Sequence, residues 1–284
     1  MEITMEMVKK LREETHAGIM DCKKALAQSN GDFAGAAKYL KEVGLAAVEK
    51  RADRATEEGR ITFGITDKKA AIISVTCETD FVAKNEQFAK LGQDLCDLVI
   101  AKGYKEVTPD MTDMVKDLIA TIHENMNIKK MDTVDVAEDE NVAGYSHANG
   151  AIGVIVKFKA KDAAIFKTDA YKTFAFNTAM HVCAADPLYL DSASVPKEYE
   201  EENLSIFRTK VAQDEKLASK PDQVKEGIVK GMLKKHYAEI CLMDQVCQIY
   251  NEDGLTVAQL VAKFNKDNGC DIAIADYRRF RAGA

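Results

Sequence analysis

Apolar positions near the start of the chain recur at helical spacing. Met7, Val8 and Leu11 share one side of a helix that Thr4 is placed to cap. The stretch "THAG" breaks it. A second helix is expected over 19–28, stopped by "SNG", with Gly31 as the left-handed residue beyond its end. Asp32 caps a third, which carries Phe33, Ala37 and Leu40 and is expected to end at Gly44. Three short helices make a bundle with a thin core, and such a bundle leaves apolar surface for a partner. The charged run "AVEKRADRATEEGR" then reads as a solvated helix or linker.

From residue 60 the period changes to alternation. "RITFGIT" and "AAIISVTC" read as strands around the turn "DKK", with Ile73, Val75 and Cys77 on one face. Asn85 is a natural N-cap for a following helix, where Phe88, Leu91, Leu95, Leu98 and Val99 fall at helical spacing. Residues 142–185 repeat the plan. "VAGYSH" and "AIGVIVKFKA" flank "ANG", Ile152, Val154, Val156 and Phe158 alternate, and a helix runs through "YKTFAFNTAMHVCAAD". Both segments read strand, turn, strand, corner, helix, an internal structural repeat with little residue identity.

After "ADPLYLD" the chain turns strongly helical. Leu204, Phe207 and Val211 line one helix, "ASKPD" with Pro221 turns the chain, and Val224, Ile228, Met232, Tyr237 and Ile240 are available on the returning helix. This predicts a projecting antiparallel hairpin of two helices. Thr256 and Gln259 match a capping box for one more helix, and the tail "ADYRRFRAGA" is basic. The fold class is α+β.

Composition narrows the function. A 284-residue chain with 46% hydrophobic and 30% charged residues is an ordinary globular chain of two or three units. A net charge of −7, no Trp and 7% aromatic residues argue against direct nucleic-acid binding and against an anionic membrane surface. No apolar run is long enough to span a bilayer, and "MEITMEMVKK" lacks the apolar centre of a signal peptide. Seven scattered cysteines without C-x-x-C predict reduced thiols and a cytoplasmic chain.

Signs of chemistry are few. The histidines, His16, His123, His147, His181 and His236, contain no metal-ligand spacing, and there is no P-loop or G-x-G-x-x-G, so no metal, cofactor or bound nucleotide is expected. Cys77 paired with His147 or His181 would be the nucleophile of a thiol hydrolase, but the alternating strand position of Cys77 suits a buried structural residue. One oddity remains. The corner "ETDFV" sets Asp80 beside Phe81, where the second repeat has "KDAAIF". Either Phe81 folds back into its own core while Asp80 caps a turn, or it is an exposed anchor for a partner.

Four segments bear on that choice. "LREETHAGIMDCKKAL", "CETDFVAKNEQF", "SHANGAIGV" and "AMHVCAADPLYL" resemble, in order and spacing, signature segments of the bacterial elongation factor Ts family, and the resemblance spans essentially the whole chain. The family exchanges guanine nucleotide on the translational GTPase elongation factor Tu. The resemblance implies a ubiquitin-associated-like three-helix domain at 1–54, core subdomains at 55–140 and at 141–186 with 228–266, a helical dimerisation hairpin at 187–227 and a C-terminal module at 267–284. The core would consist of two pseudo-repeated antiparallel-sheet-plus-helix halves. A homodimer through the hairpin is left open.

The resemblance further implies binding to elongation factor Tu in its GDP-bound and nucleotide-free states, without bond chemistry. Thr79, Asp80, Phe81 and Val82 would enter near the GTPase Mg²⁺ site and loosen GDP, so that GTP can load. Ile19, Met20 and Lys23 are candidates for docking the bundle, with bundle core as the other reading of Met20. His147 is a candidate for a separate contact, with an ordinary surface histidine as its alternative. The alternative function is a ubiquitin-associated-like adaptor without exchange activity, which leaves the corner unexplained. The chain departs from the family pattern at His16, where Gly is usual, at Ile19, where Met is common, at Ala151, where a basic residue is usual, and in its more basic tail.

Overall fold

The computed structural model describes residues 3–15, 17–49 and 51–283, so the departure at His16 lies outside the described residues. The chain forms two compact units. One comprises Met1–Val136, Ser146–Gly153 and Phe280–Ala284, and the other Ala137–Tyr145 and Val154–Arg279.

The first unit opens with α1 (Met5–Thr15), α2 (Ile19–Gln28) and α3 (Phe33–Glu49). Thr4 Oγ1 accepts the Met7 N–H at 3.3 Å, and Asp32 Oδ2 accepts the Gly35 N–H at 2.8 Å. Gly31, at φ 85°, closes the end of α2 by donating its N–H to the Leu26 carbonyl. Val8, Leu11, Cys22, Ala25 and Leu26 make the small core.

Gly44 does not end the third helix. α3 runs on to Glu49, and Gly44 is where it meets α6 (Pro109–Ile122). A Cβ at position 44 would lie 2.5 Å from Ala120 Cβ, far inside contact distance, so glycine here serves close helix approach rather than termination. Lys41 pairs with Asp117 along the same contact.

The sheet of this unit has the order β1 (Glu58–Ile65), β2 (Lys69–Cys77), β3 (Met126–Asp135), all antiparallel. Between β2 and β3 lie the one-turn α4 (Asp80–Ala83), α5 (Glu86–Lys102) and α6. Ala71, Ile73, Val75 and Cys77 pack with Phe88, Leu91, Leu95 and Val99 of α5 and with Met111, Val115 and Ile119 of α6. The alternation read from β2 covered half of its burial. Ala70 and Ile72 on its other face are equally inaccessible, because that face is covered too: Ile72 and the buried Ile61 lie against Gly153 of the same unit, where an added Cβ would come within 3.7 Å of Ile72 and 2.4 Å of Ile61. α6 and β3 went unread, although Thr108, Pro109 and the apolar spacing of 111, 115 and 119 mark a helix start.

The second unit is built on the sheet β4 (Glu140–His147), β5 (Ile152–Lys159), β6 (Ala273–Arg281), of which residues 146–147, 152–153 and 280–281 belong to the first unit. The basic tail is therefore a strand. Ile274, Asp276, Arg278 and Phe280 share a face, and the two charges between the apolar ends hid the strand pattern; in the fold Arg278 pairs with Asp276 at 2.6 Å. Arg279 donates to the Cys183 carbonyl and pairs with Asp186 at 2.7 Å. α7 (Asp169–Ala185) covers the sheet, Tyr171 meeting Phe158 edge to face at 5.5 Å.

α8 (Lys197–Gln213), the one-turn α9 (Glu215–Ala218) and α10 (Asp222–Ile240) form the helical hairpin. Its seam is Phe207, Val211 and Val229, flanked by Leu204, Ile228, Met232 and Leu233. Val224, expected to pack, is exposed one turn nearer the tip. The hairpin end drawn at 227 falls inside α10. Tyr237 and Ile240 instead close the base with Val195, Tyr199 and Cys241. α11 (Val257–Asn268) carries both bonds of the Thr256–Gln259 capping box.

His181 on α7 is wholly buried. Its Nδ1 accepts the Gln248 N–H at 3.2 Å, so Nε2 carries the proton and donates it to Gln245 Oε1 at 3.1 Å. Burial holds this imidazole below its ordinary pKa, against a smaller opposing effect of the Gln245 bond. The unfolded chain thus takes up the proton more readily. The stabilisation is complete above the ordinary imidazole pKa and is lost as pH falls toward the depressed folded value. The unfolding free energy from denaturant melts is expected to fall as the pH is lowered from about 7.5 to 5, by up to ~1.4 kcal/mol per pH unit for one proton. The same series on His181→Gln should lack that component, and an unchanged slope would assign it to other groups.

Candidate partner-binding corner

β2 delivers the chain to a corner that is fixed on one side and open on the other. Thr79 is the N-cap of α4, its Oγ1 accepting the Val82 N–H at 3.4 Å. Val82 and Ala83 turn into the core formed by β2, α5 and α6. Asn85 then caps α5 by accepting the Gln87 N–H at 2.7 Å. Between these anchors Phe81 is 80% exposed. The reading in which Phe81 folds into its own core is thereby overturned. The second corner supplies the contrast. There a 3-10 turn over Ala163–Lys167 carries Phe166, which packs on Tyr171 at 4.9 Å between ring centroids.

Asp80 lies at the rim and pairs with Lys84 at 2.6 Å. That hydrogen bond and charge hold its carboxyl below the ordinary range and hold the Lys84 ammonium above its own. Both groups are solvated, so the pair orients a negative charge beside the exposed ring more than it stabilises the fold.

Cys77 directly precedes the corner and is fully buried. Its thiol donates to the Thr79 carbonyl at 3.2 Å, and burial, aided by Glu124, pushes its pKa to about 12. A thiol so protonated at neutral pH is no nucleophile. The hydrolase reading fails on this residue, and the other histidine proposed for it, His181, is committed to its buried bonds. Among the described residues, no three His, Cys, Asp or Glu side chains converge as a metal site would require.

The remaining candidates are surface residues. Met20 is 75% exposed and Ile19 45%, with Lys23 beside them, while Cys22, Ala25 and Leu26 form the buried side of α2. Met20 is therefore not bundle core. His147 is exposed at the end of β4, just before a turn in which Ala148, Asn149 and Gly150 all have positive φ. A Cβ at Gly150 would come within 2.5 Å of Arg60 Cγ. Ala151 binds through its backbone, its carbonyl accepting the Ala282 N–H.

Sequence reasoning missed the residues that brace the corner. Glu124 accepts both the N–H and the hydroxyl of Thr79, at 3.0 and 2.7 Å, and Glu78 accepts the Asn125 N–H at 2.6 Å. No periodicity links positions so far apart in the chain.

Residues 78–284 match the sequence model of the elongation factor TS family. The Elongation factor Ts of Treponema denticola is 41% identical over 283 residues, which cover 100% of this chain and 99% of that protein. The chain belongs to the elongation factor Ts family. Other members are the Elongation factor Ts of Borreliella burgdorferi, 37% identical over 99% of both chains, and that of Clostridium acetobutylicum, 35% identical over 99% of this chain and 92% of its own. The span matching the elongation factor Ts family model opens at Glu78, the first residue of the corner, while the full-length relatives also cover the N-terminal bundle. Among the described residues no helix is long and apolar enough to cross a membrane.

Proposed function

We propose that this chain is a guanine-nucleotide exchange factor for elongation factor Tu, acting in the cytoplasm without making or breaking a bond. The single observation that carries this reading is Phe81, an aromatic side chain exposed on a corner whose neighbours are capped or buried. An exchange factor binds the nucleotide-free GTPase more tightly than the GDP-bound form, and linkage requires it to weaken GDP by the same factor. Nucleotide grip rests on Mg²⁺ and on backbone N–H groups around the phosphates. In this reading Phe81 enters between elements of the GTPase beside that metal, and Asp80 brings charge to the polar groups there. Thr79 and Val82 are the struts of the wedge, one capping its helical turn and one buried.

Ile19, Met20 and Lys23 dock the N-terminal bundle, here taken as ubiquitin-associated-like, and His147 makes a separate contact. The two sheet-and-helix segments are read as pseudo-repeats, only the first of which carries a wedge. Neither nucleic acid nor a membrane takes part, and a homodimer through the hairpin is not needed. The test is release of fluorescent GDP from elongation factor Tu with and without this chain. Acceleration without nucleotide hydrolysis is expected, and none at micromolar concentration of folded protein would overturn the reading.

The hairpin is expected to be dispensable in dilute solution. Its seam is closed internally, and its outer face carries solvated pairs such as Arg208 with Glu226 at 2.9 Å. Because α10 is continuous, the excision should span 200–236 and spare Tyr199 and Tyr237 at the base. The exchange rate should stay within about twofold, the scale of a surface change. Loss of exchange from a chain that still melts cooperatively would show that the arm reaches the partner.

A further inference from the structure

α4 is a single turn of four residues, too short to hold its own geometry. What holds it lies far away in sequence. Both oxygens of Glu124 are taken by one residue, Oε2 by the Thr79 N–H at 3.0 Å and Oε1 by the Thr79 hydroxyl at 2.7 Å. The grip is reciprocal, since Glu78 Oε1 accepts the Asn125 N–H at 2.6 Å. Two adjacent pairs, 78–79 and 124–125, thus hand each other a carboxylate. A third segment joins them. The Asn125 side-chain amide donates to the Ala52 and Arg54 carbonyls at 3.2 and 2.7 Å, and the Arg54 guanidinium reaches both oxygens of Glu78 at 3.4 Å. Asn125 is 2% exposed, so the junction is shielded from competing water.

We propose that Glu124 is a positioning residue for nucleotide exchange, fixing through Thr79 the direction in which Phe81 projects, with Asn125 and Arg54 tying that corner to the linker that follows the N-terminal helices. The proposal rests on the reading of Phe81 as the wedge. Two charge-assisted bonds to one residue fix both its position and its orientation, which a single bond cannot do. Without them Thr79 keeps its local bonds to Cys77, Val82 and Ala83 but loses its tie to the segment before β3, and the orientation of the whole turn is less constrained. The ring would then reach the partner in many orientations, and the fraction in the productive one would fall.

The experiment is a double-mutant cycle on the full-length chain, reading GDP release from elongation factor Tu over a range of exchange-factor concentrations. Glu124→Ala in the wild-type background is expected to lower the maximal exchange rate about tenfold, the size of a lost geometric constraint, with a smaller change in the half-saturating concentration. In the Phe81→Ala background the same substitution is expected to cost less than about twofold, because the group it aims is gone. Glu124→Gln keeps one acceptor oxygen and should recover part of the loss.

Equal losses in the two backgrounds would overturn the proposal, since Glu124 would then act independently of Phe81. A wild-type rate for Glu124→Ala, with Phe81→Ala still slow, would overturn the positioning role and leave the wedge standing. A wild-type rate for Phe81→Ala would overturn both. If Glu124→Ala fails to melt cooperatively, Glu124→Gln carries the same cycle, with Thr79→Ser, which keeps both the α4 cap and the hydroxyl bond to Glu124, as the variant expected to exchange at the wild-type rate.

Discussion

Phe81→Ala is expected to slow GDP release from elongation factor Tu by about one to two decades, the ~1.5–3 kcal/mol of one buried phenylalanine, and to leave the melting temperature nearly unchanged. The second half of this expectation follows from exposure. Phe81 is already 80% in water, so its removal opens no cavity. Phe88, seven residues on and 1% exposed, is the internal control, where Phe→Ala should cost ~3–5 kcal/mol of stability. Asp80→Ala should also slow exchange, and the pair should be less than additive because both meet one region of the partner. If the wedge acts by dislodging the metal, its advantage shrinks when Mg²⁺ is chelated. Melts of each variant beside release rates at high and negligible Mg²⁺ check this. A large stability loss for Phe81→Ala, or a defect of equal size without Mg²⁺, would sink it.

The second large effect is on docking. Ile19→Ala with Met20→Ala should raise the half-saturating concentration for exchange by about one to two decades, from ~1.5–3 kcal/mol of apolar burial on the partner, while the maximal rate is held. The bundle should stay folded, because its core is Val8, Leu11, Cys22, Ala25 and Leu26. A chain beginning at Thr56 is expected to keep its sheets and exchange poorly, at some cost in stability. Removing α3 uncovers the α6 surface at Ala120 that Gly44 lets it approach. Unchanged concentration dependence in the double variant would remove these residues from the interface.

The corner was found by a mismatch of character, an acid and an aromatic at a polar turn. Its residue types, however, left both readings of Phe81 open. The two corners show why. Phe166 and Phe81 both follow a strand in their repeats, yet one packs on Tyr171 and the other faces water. What differs is the backbone between cap and helix, a 3-10 turn in one and an α-turn in the other. Gly44 makes the same point for packing. A glycine near a helix end and a glycine at a helix crossing look alike in sequence, and the neighbour that decides, Ala120, lies on another element.

Local periodicity, capping and turn chemistry sufficed for what depends on neighbours in the chain. They located α2 at 19–28, the two strand hairpins, the Asn85 and Thr256 caps and the seam residues Leu204, Phe207 and Val211. Tertiary structure alone decided what depends on partners distant in sequence. Among these are the burial of both faces of β2, the pairing of the basic tail as β6, and the bonds by which Glu124 and Asn125 hold residues 79, 52 and 54. The physical reason is range. Propensity and periodicity act over a few residues, whereas burial and a carboxylate's choice of donor are settled only when separate segments meet in space.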